Sequence, residues 1–374
     1  MRVVQIIDNL RFGGAQKMVS MLSKELLQRK VEVAVVSLDI EDEDAYYAGV
    51  LRDMNVEVKS IPGGRLLDIN RIQGLLKFVR AGRFDVIQTH LSTSNMLGAF
   101  VGKITGLPVI STLHSTGVHR RYYNPLRLRL ETLALKDRAC QVVAVGYAVA
   151  DLQKHRLGKQ KNIMVIPNAM TAFPDLPHLE REKIRMSIAG SDACTLVITV
   201  GRLSPDKGYV DMITALSTII RDDSSVFLLI VGDGPLSDAL HDQVRVLGLE
   251  QNVVFLGSRD DVPLLLKSSD MYVSASYREG MSMSLLEAMA AGLPVIATNV
   301  GDASRMFTED SGVLIEPGVP DLLSNSIKSL LSDPAKMQSM ARAAYERLTT
   351  KFGLDAWANS YIDLYAQKIR KVNG

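Results

Sequence analysis

Cysteine is nearly absent from this sequence. There are two, Cys140 and Cys194, each inside an apolar run. They form no C-x-x-C, no zinc-ligand spacing and no disulfide framework, so buried free thiols are expected. Such a chain suits a reducing compartment. No stretch of roughly 18 apolar residues occurs, which excludes a membrane-spanning helix. Residues 1–8 hold too short an apolar stretch for a signal peptide. A surplus of charge is missing too. Lys and Arg number 43 against 41 Asp and Glu, a net +2, so bulk electrostatics gives no basis for a nucleic-acid partner. Low-complexity segments and tandem repeats are absent. With 47% hydrophobic and 22% charged residues, disordered, collagen-like and fibrous classes are excluded. There is no G-x-G-x-x-G, no Walker A loop, no H-E-x-x-H and no G-x-S-x-G. A soluble cytosolic protein is expected.

At about 150 residues per domain, 374 residues predict two domains with cores that need no staples. Nearly continuous apolar runs at 3–7, 31–38, 85–88, 109–113, 141–145 and 163–166 read as strands buried on both faces. Helical spacing lies between them, as in Ala15, Met18, Val19, Leu22 and Leu26. A stretch of mixed charge with Pro174 and Pro177, residues 170–192, reads as a linker. Strands then resume at 196–200, 226–231, 253–256, 271–275 and 295–298, and the chain is helical after Asp321. Trp357, Tyr361, Leu364 and Tyr365 form an apolar stripe near the end. The expected class is α/β, with two facing Rossmann-like parallel-sheet domains, residues 1–169 and 193–350, and a C-terminal helix over 351–374. Ligands in such sheets bind at the carboxyl ends of strands, and the cleft between two such domains is the expected site.

Several clusters fall at those strand ends. Gly13-Gly14 opens the first helix, where backbone can approach a phosphate, although a plain tight turn is the simpler explanation of the pair. Arg202 and Lys207, in residues 201–208, supply a fork and a point charge that suit a diphosphate; an exposed surface loop is the plainer reading. Gly232 and Gly234 form a turn, with Pro235 placed to open a helix. Glu279 sits in a loop, and Glu287 eight residues later in the first turn of a helix starting near Ser284. Together they could grip two hydroxyls of a polyol, but Ser284-x-x-Glu287 also fits a capping box that needs no ligand. His90 and His114 end two strands of the first domain. Asp42-Glu43-Asp44 contains an Asp-x-Asp, read as a solvated acidic loop. Residues 119–130 are basic, aromatic and apolar. They could lie on an anionic membrane through Arg120, Arg121, Arg127 and Arg129, or form an ordinary helix with arginines facing water.

In order along the chain, these residues resemble the retaining glycosyltransferases of family 4, the group 1 family with the GT-B fold. Residues 201–208 resemble its G-R-L-x-x-x-K-G loop, 231–235 its V-G-x-G-P turn and 254–257 its F-x-G strand. Residues 279–287 resemble its E-x7-E motif, followed by E-A-M-A-x-G-x-P-V-I-A-T in 287–298. Gly13-Gly14, His90, the T-x-H at 112–114 and Ile166-Pro167-Asn168 are similar to landmarks in the first half.

The resemblance implies a nucleotide diphosphate sugar as donor. Arg202 and Lys207 would bind the diphosphate, Glu279 the sugar, Glu287 the ribose, and His114 would sit beside the anomeric carbon. It implies donor contacts from Gly13, Gly14, Gly232, Gly280, Met281 and Ser282, acceptor-side roles for His90 and Asn168, no essential metal, and a last helix that returns to the first domain. A hexose or N-acetylhexosamine would pass, with retention, to a saccharide acceptor. A lipid-linked acceptor in surface polysaccharide, O-antigen or glycolipid assembly suits the basic segment, and places the enzyme at the inner face of the plasma membrane. Two departures fall near the donor sugar and the domain end: Met281-Ser282 follows Gly280, and Ala169-Met170 follows Asn168. The alternatives are a GT-B sugar-nucleotide epimerase and a catalytically idle sugar-nucleotide-binding protein.

Overall fold

The computed structural model describes residues 1–39, 45–64, 68–115, 124–137, 139–158 and 161–373. The chain divides into two compact units, Met1–Asn168 with Leu354–Gly374, and Ala169–Gly353.

The first unit alternates strand and helix: β1 (Arg2–Ile7), α1 (Gly14–Gln28), β2 (Glu32–Ser37), α2 (Tyr46–Asp53), β3 (Glu57–Ser60), α3 (Ile69–Ala81), β4 (Val86–His90), α4 (Ser92–Thr105), β5 (Val109–Leu113), α5 (Pro125–Lys136), β6 (Cys140–Ala144), α6 (Tyr147–Leu157) and β7 (Ile163–Val165). All strands are parallel, in the order β3-β2-β1-β4-β5-β6-β7. Every residue of β4, β5 and β6 is buried, as strands covered on both faces must be.

The second unit opens with α7 (His178–Ala189) and runs β8 (Thr195–Val200), α8 (Tyr209–Asp222), β9 (Val226–Val231), α9 (Ser237–Leu247), β10 (Val253–Gly257), α10 (Val262–Ser268), β11 (Met271–Ser274), α11 (Met283–Ala291), β12 (Val295–Thr298), α12 (Ala303–Met306), β13 (Val313–Ile315), α13 (Pro320–Leu331) and α14 (Pro334–Lys351). Its parallel sheet is ordered β10-β9-β8-β11-β12-β13. On α8, Tyr209, Met212, Ile213, Leu216, Ile219 and Ile220 recur at helical spacing and are buried in the core of this unit.

The last helix, α15 (Leu354–Asn373), belongs to the first unit and packs on α1 and β4. Its buried Tyr365 donates a hydrogen bond to the Gln88 side-chain oxygen on β4.

The stretch expected as a linker is part of the second unit. α7 is anchored by buried Arg185, which donates to Asp270 Oδ2 (2.9 Å) and to the Asp192, Cys194 and Ser268 carbonyls. Residues 42–44 and 119–123 lie outside the described residues.

Candidate active site

Both sheets reverse their strand order once, between β1 and β4 and between β8 and β11. A crevice opens at the carboxyl ends of strands at such a switch point.

In the second unit, the β8 and β11 loops are locked together there. Residues Pro205–Lys207 form one turn of 3-10 helix, closed by Gly208 at φ 66°. A Cβ at Gly208 would overlap the Ala275 carbonyl, so only glycine lets the loop lie this close to the end of β11. Gly232, at φ 132°, is constrained in the same way by the Gly201 carbonyl, which brings β9 against β8. The Tyr277 N–H donates to the Asp206 carbonyl at 2.8 Å. Tyr209 donates its hydroxyl to the Gly201 carbonyl at 2.8 Å. Burial, with the charges of Tyr272 and Glu279 adding to it, raises the Tyr209 pKa, so the donor proton stays in place.

This bracing sets Lys207 Nζ 2.6 Å from Glu279 Oε1, with both side chains mostly shielded from solvent. Ser276 Oγ donates to the same carboxylate oxygen at 2.9 Å and is itself buried. The loop carrying Glu279 is held from the other side, where the Asp302 N–H donates to the Gly280 carbonyl at 3.0 Å. Arg202 is exposed, and among the described residues its guanidinium has no ion-pair partner. The arrangement therefore offers one cation free for an anion and a second cation shared with a carboxylate.

The capping box that Ser284-x-x-Glu287 offered as an alternative to a ligand role does not form. Ser282 is the N-cap of α11 and makes no side-chain cap bond; Ser284 is the second helical residue and exchanges a hydrogen bond with Ser282 Oγ at 3.0 Å. Glu287 sits one turn further in and is buried. Met281 and Ser282 are buried beside it. The first amides of α11 thus lack a side-chain cap, which leaves its positive end available to an anion. Pro235 does not open α9, which starts at Ser237 with Leu236 as N-cap.

In the first unit, Gly13 is the N-cap of α1 and Gly14 its first residue, again without a side-chain cap. His90 Nδ1 lies 2.9 Å from His114 Nε2. His90 is 0% exposed, so it cannot touch an acceptor and reaches any ligand only through His114. Asn168, the last residue of this unit's main segment, is also buried. Burial lowers the His114 pKa to about 4. Burial and the neighbouring His114 lower that of His90 as well. Both rings are neutral at pH 7.

Of the four arginines named as membrane-contact candidates, Arg127 is half-buried and paired within its own unit. It donates to Asp8 Oδ2 and to Ser92 Oγ, each at 3.1 Å. Asp8 also accepts from the backbone N–H groups of Thr93 (3.2 Å) and Ser94 (2.8 Å), capping α4 beside the switch point. Leu91, just before that helix, holds φ at 72°, a strained value for a side chain of its size. Arg129 is exposed, and Arg120 and Arg121 lie outside the described residues.

The glycosyl transferases group 1 family model matches residues 193–347, and the Glycosyltransferase Family 4 model matches residues 12–171. The chain belongs to the group 1, family 4 glycosyltransferases. As such it is a transferase of the two-unit GT-B architecture. It is 27% identical over 312 residues to the UDP-Gal:alpha-D-GlcNAc-diphosphoundecaprenol alpha-1,3-galactosyltransferase of Escherichia coli, covering 81% of this chain and 80% of that one. It is 24% identical over 367 residues to the N-acetyl-alpha-D-glucosaminyl L-malate synthase of Bacillus anthracis, covering 96% and 95%. The fold matches the crystal structure of Anabaena Alr3699/HepE in complex with UDP-glucose, with a TM-score of 0.87 at 22% identity, over 98% of this chain and 100% of that one. The glycosyltransferase uses nucleotide-sugar donors, and among its described residues no helix is long and apolar enough to cross a membrane.

Three polar residues at the two switch points escaped sequence reasoning: Ser276 in the second unit, and Asp8 and Gln5 in the first. Gln5 and Asp8 had a visible signal, since each puts a polar side chain in or at the end of an otherwise apolar central strand.

Proposed function

We propose that the enzyme moves a hexose or N-acetylhexosamine from a UDP-linked donor to a lipid-linked saccharide, with retention at the anomeric carbon. The observation that carries this reading is the Lys207–Glu279–Ser276 cluster at the β8/β11 switch point, next to exposed Arg202. As the donor's glycosidic bond breaks, negative charge grows on the departing diphosphate. The cations Arg202 and Lys207, with the partial positive charge at the uncapped start of α11, are placed in advance to oppose it, in the role a divalent metal plays elsewhere. One preplaced donor of this kind typically lowers the barrier by about 3 kcal/mol. Glu279 accepts from hydroxyls of the transferred sugar, Glu287 from the ribose, and His114 lies beside the sugar. UDP is favoured by the UDP-sugar relatives.

The acceptor side rests on a surface of the first unit. On α5, Leu126 and Leu133 are 59% and 67% exposed, with Arg129 and Lys136 exposed between and beyond them. Neighbouring α4 exposes Phe100, Lys103 and Ile104. Apolar side chains interleaved with cations match an anionic lipid surface, where each cation contributes about 1 kcal/mol. A diphospholipid acceptor, like that named for the Escherichia coli relative, would be reached there.

Lys207→Ala and Glu279→Ala are each expected to abolish transfer while the far-UV spectrum and melting temperature stay close to wild type. Near-normal turnover in either, with a UDP-sugar and a lipid-linked acceptor supplied, refutes the assignment. Conversion of the sugar nucleotide with no acceptor present would instead identify an epimerase. Flotation with anionic vesicles tests the surface: binding should be lost in the Leu126→Glu/Leu133→Glu double variant.

A further inference from the structure

We infer that three buried side chains, Ser23, Gln5 and His90, fix the tautomer of His114 and so make its Nδ1 a hydrogen-bond acceptor for a substrate hydroxyl. The inference rests on the proposed placing of His114 beside the sugar.

The relay starts from a fixed acceptor. The Ser23 hydroxyl has a single proton, which goes to the Val19 carbonyl 2.8 Å away within α1. Toward Gln5 the Ser23 oxygen can then only accept, so the Gln5 atom 2.9 Å from it is the amide nitrogen. The orientation of the amide follows: its oxygen faces His90 Nε2 at 3.1 Å, and Nε2 carries a proton. A neutral imidazole has one N–H, so His90 Nδ1 is bare. That bare nitrogen lies 2.9 Å from His114 Nε2, which therefore donates. The remaining nitrogen, His114 Nδ1, is bare in turn, and no described residue hydrogen-bonds to it.

The relay also explains why a glutamine occupies the middle of β1. Gln5, Ser23 and His90 are each 0% exposed, and a buried amide is tolerated only when both its ends are paired. The low pKa values of the two histidines keep the chain of single protons intact at neutral pH.

The consequence is one of selectivity within the substrate. A bare ring nitrogen accepts from hydroxyls and repels phosphate oxygens, which at neutral pH only accept. His114 therefore serves a hydroxyl of the transferred sugar or of the acceptor and leaves the diphosphate to other groups. His90, Gln5 and Ser23 are positioning residues that act through it.

Long-range proton–nitrogen NMR correlations on the 15N-labelled full chain read each histidine's tautomer directly. The six histidines are few enough to assign with His114→Gln and His90→Gln variants. At pH 7.5 and without ligand, both His90 and His114 should be protonated at Nε2 and bare at Nδ1. A His114 protonated at Nδ1 overturns the relay whatever the activity. Gln5→Leu removes the acceptor that holds His90; His114 should become a mixture of tautomers, and kcat should fall about tenfold while the donor KM holds. If Gln5→Leu does not fold, Ser23→Ala makes the same test by releasing the amide to rotate. A folded Gln5→Leu or Ser23→Ala protein with unchanged tautomer and kcat refutes the relay. Wild-type turnover in His114→Phe, with the tautomer as stated, refutes the substrate hydroxyl contact alone.

Discussion

Replacing Glu279 by Gln should tighten the binding of UDP while it removes turnover. In the ligand-free site Lys207 is already occupied, because its ammonium lies 2.6 Å from Glu279 Oε1. UDP must draw that ammonium away and must itself sit near the carboxylate. Unit charges about 4 Å apart near a protein surface interact by ~4 kcal/mol, and by about half that at twice the distance. Solvent reaches both side chains partly, 22% for Lys207 and 13% for Glu279, which screens the repulsion further. A net gain of about 1–2 kcal/mol remains when the carboxylate becomes a neutral amide, roughly a five- to thirtyfold lower Kd for UDP. The amide nitrogen would also stand where Ser276 now donates, so the side chain loses its fixed orientation toward the sugar. Transfer should fall by at least ~100-fold as a result. Isothermal titration with UDP on wild type, Glu279→Gln and Lys207→Met separates the two effects, with Lys207→Met expected to bind UDP more weakly than either. A Glu279→Gln enzyme that binds UDP equally or less well would show that the pair does not restrain Lys207, and the reasoning would fail.

Gly232→Ala should cost about 2–4 kcal/mol in urea unfolding of the second unit, since a Cβ there would overlap the Gly201 carbonyl at a φ that alanine resists. Tyr365→Phe should cost about 1–3 kcal/mol by the same measure, because it strands the Gln88 side-chain oxygen in the core. Acid should weaken the first unit. The folded His114 pKa of about 4 lies below the usual 6.5, so the unfolded chain takes up a proton that the folded one refuses. This contribution is complete above pH 6.5, declines as pH falls below it, and is gone near pH 4. Lowering the pH from 7.5 to 5 should therefore cost about 1–2 kcal/mol through this residue. Urea midpoints of wild type and His114→Gln should diverge over that range, and parallel midpoints would contradict the assignment.

Most of the architecture was legible because the central strands are buried on both faces and write themselves as apolar runs. β3 and β13 were not legible. β3 is an edge strand whose Glu57 and Lys59 face outward, and β13 has three residues, too few for a pattern. In the site, Lys207 and Glu279 were visible from motif spacing. Their ion pair was not, because it depends on Gly208 letting one loop lie against another. The pairing of His90 with His114 was not legible, since a histidine ending a strand looks the same whether its ring faces a cleft or a second histidine. Arg127 misled for a related reason. It lies in a basic, apolar helix, and only the fold shows that its partner is Asp8, far earlier in the chain. The linker misread at 170–192 turns on one buried side chain, Arg185, whose partners Asp270 and Ser268 lie some 80 residues on.

The last helix imposes an order on biosynthesis. α15 is the only described part of the first unit encoded after the second unit, so a ribosome delivers residues 1–168 and then all of 169–353 before it delivers the piece that covers β4. Throughout that interval the Gln88 amide and the surrounding face wait for Tyr365. The half of the enzyme that is made first is thus completed last. A nascent chain carries an open apolar face during elongation, and a truncation that spares every strand and every motif can still leave the first half unfinished.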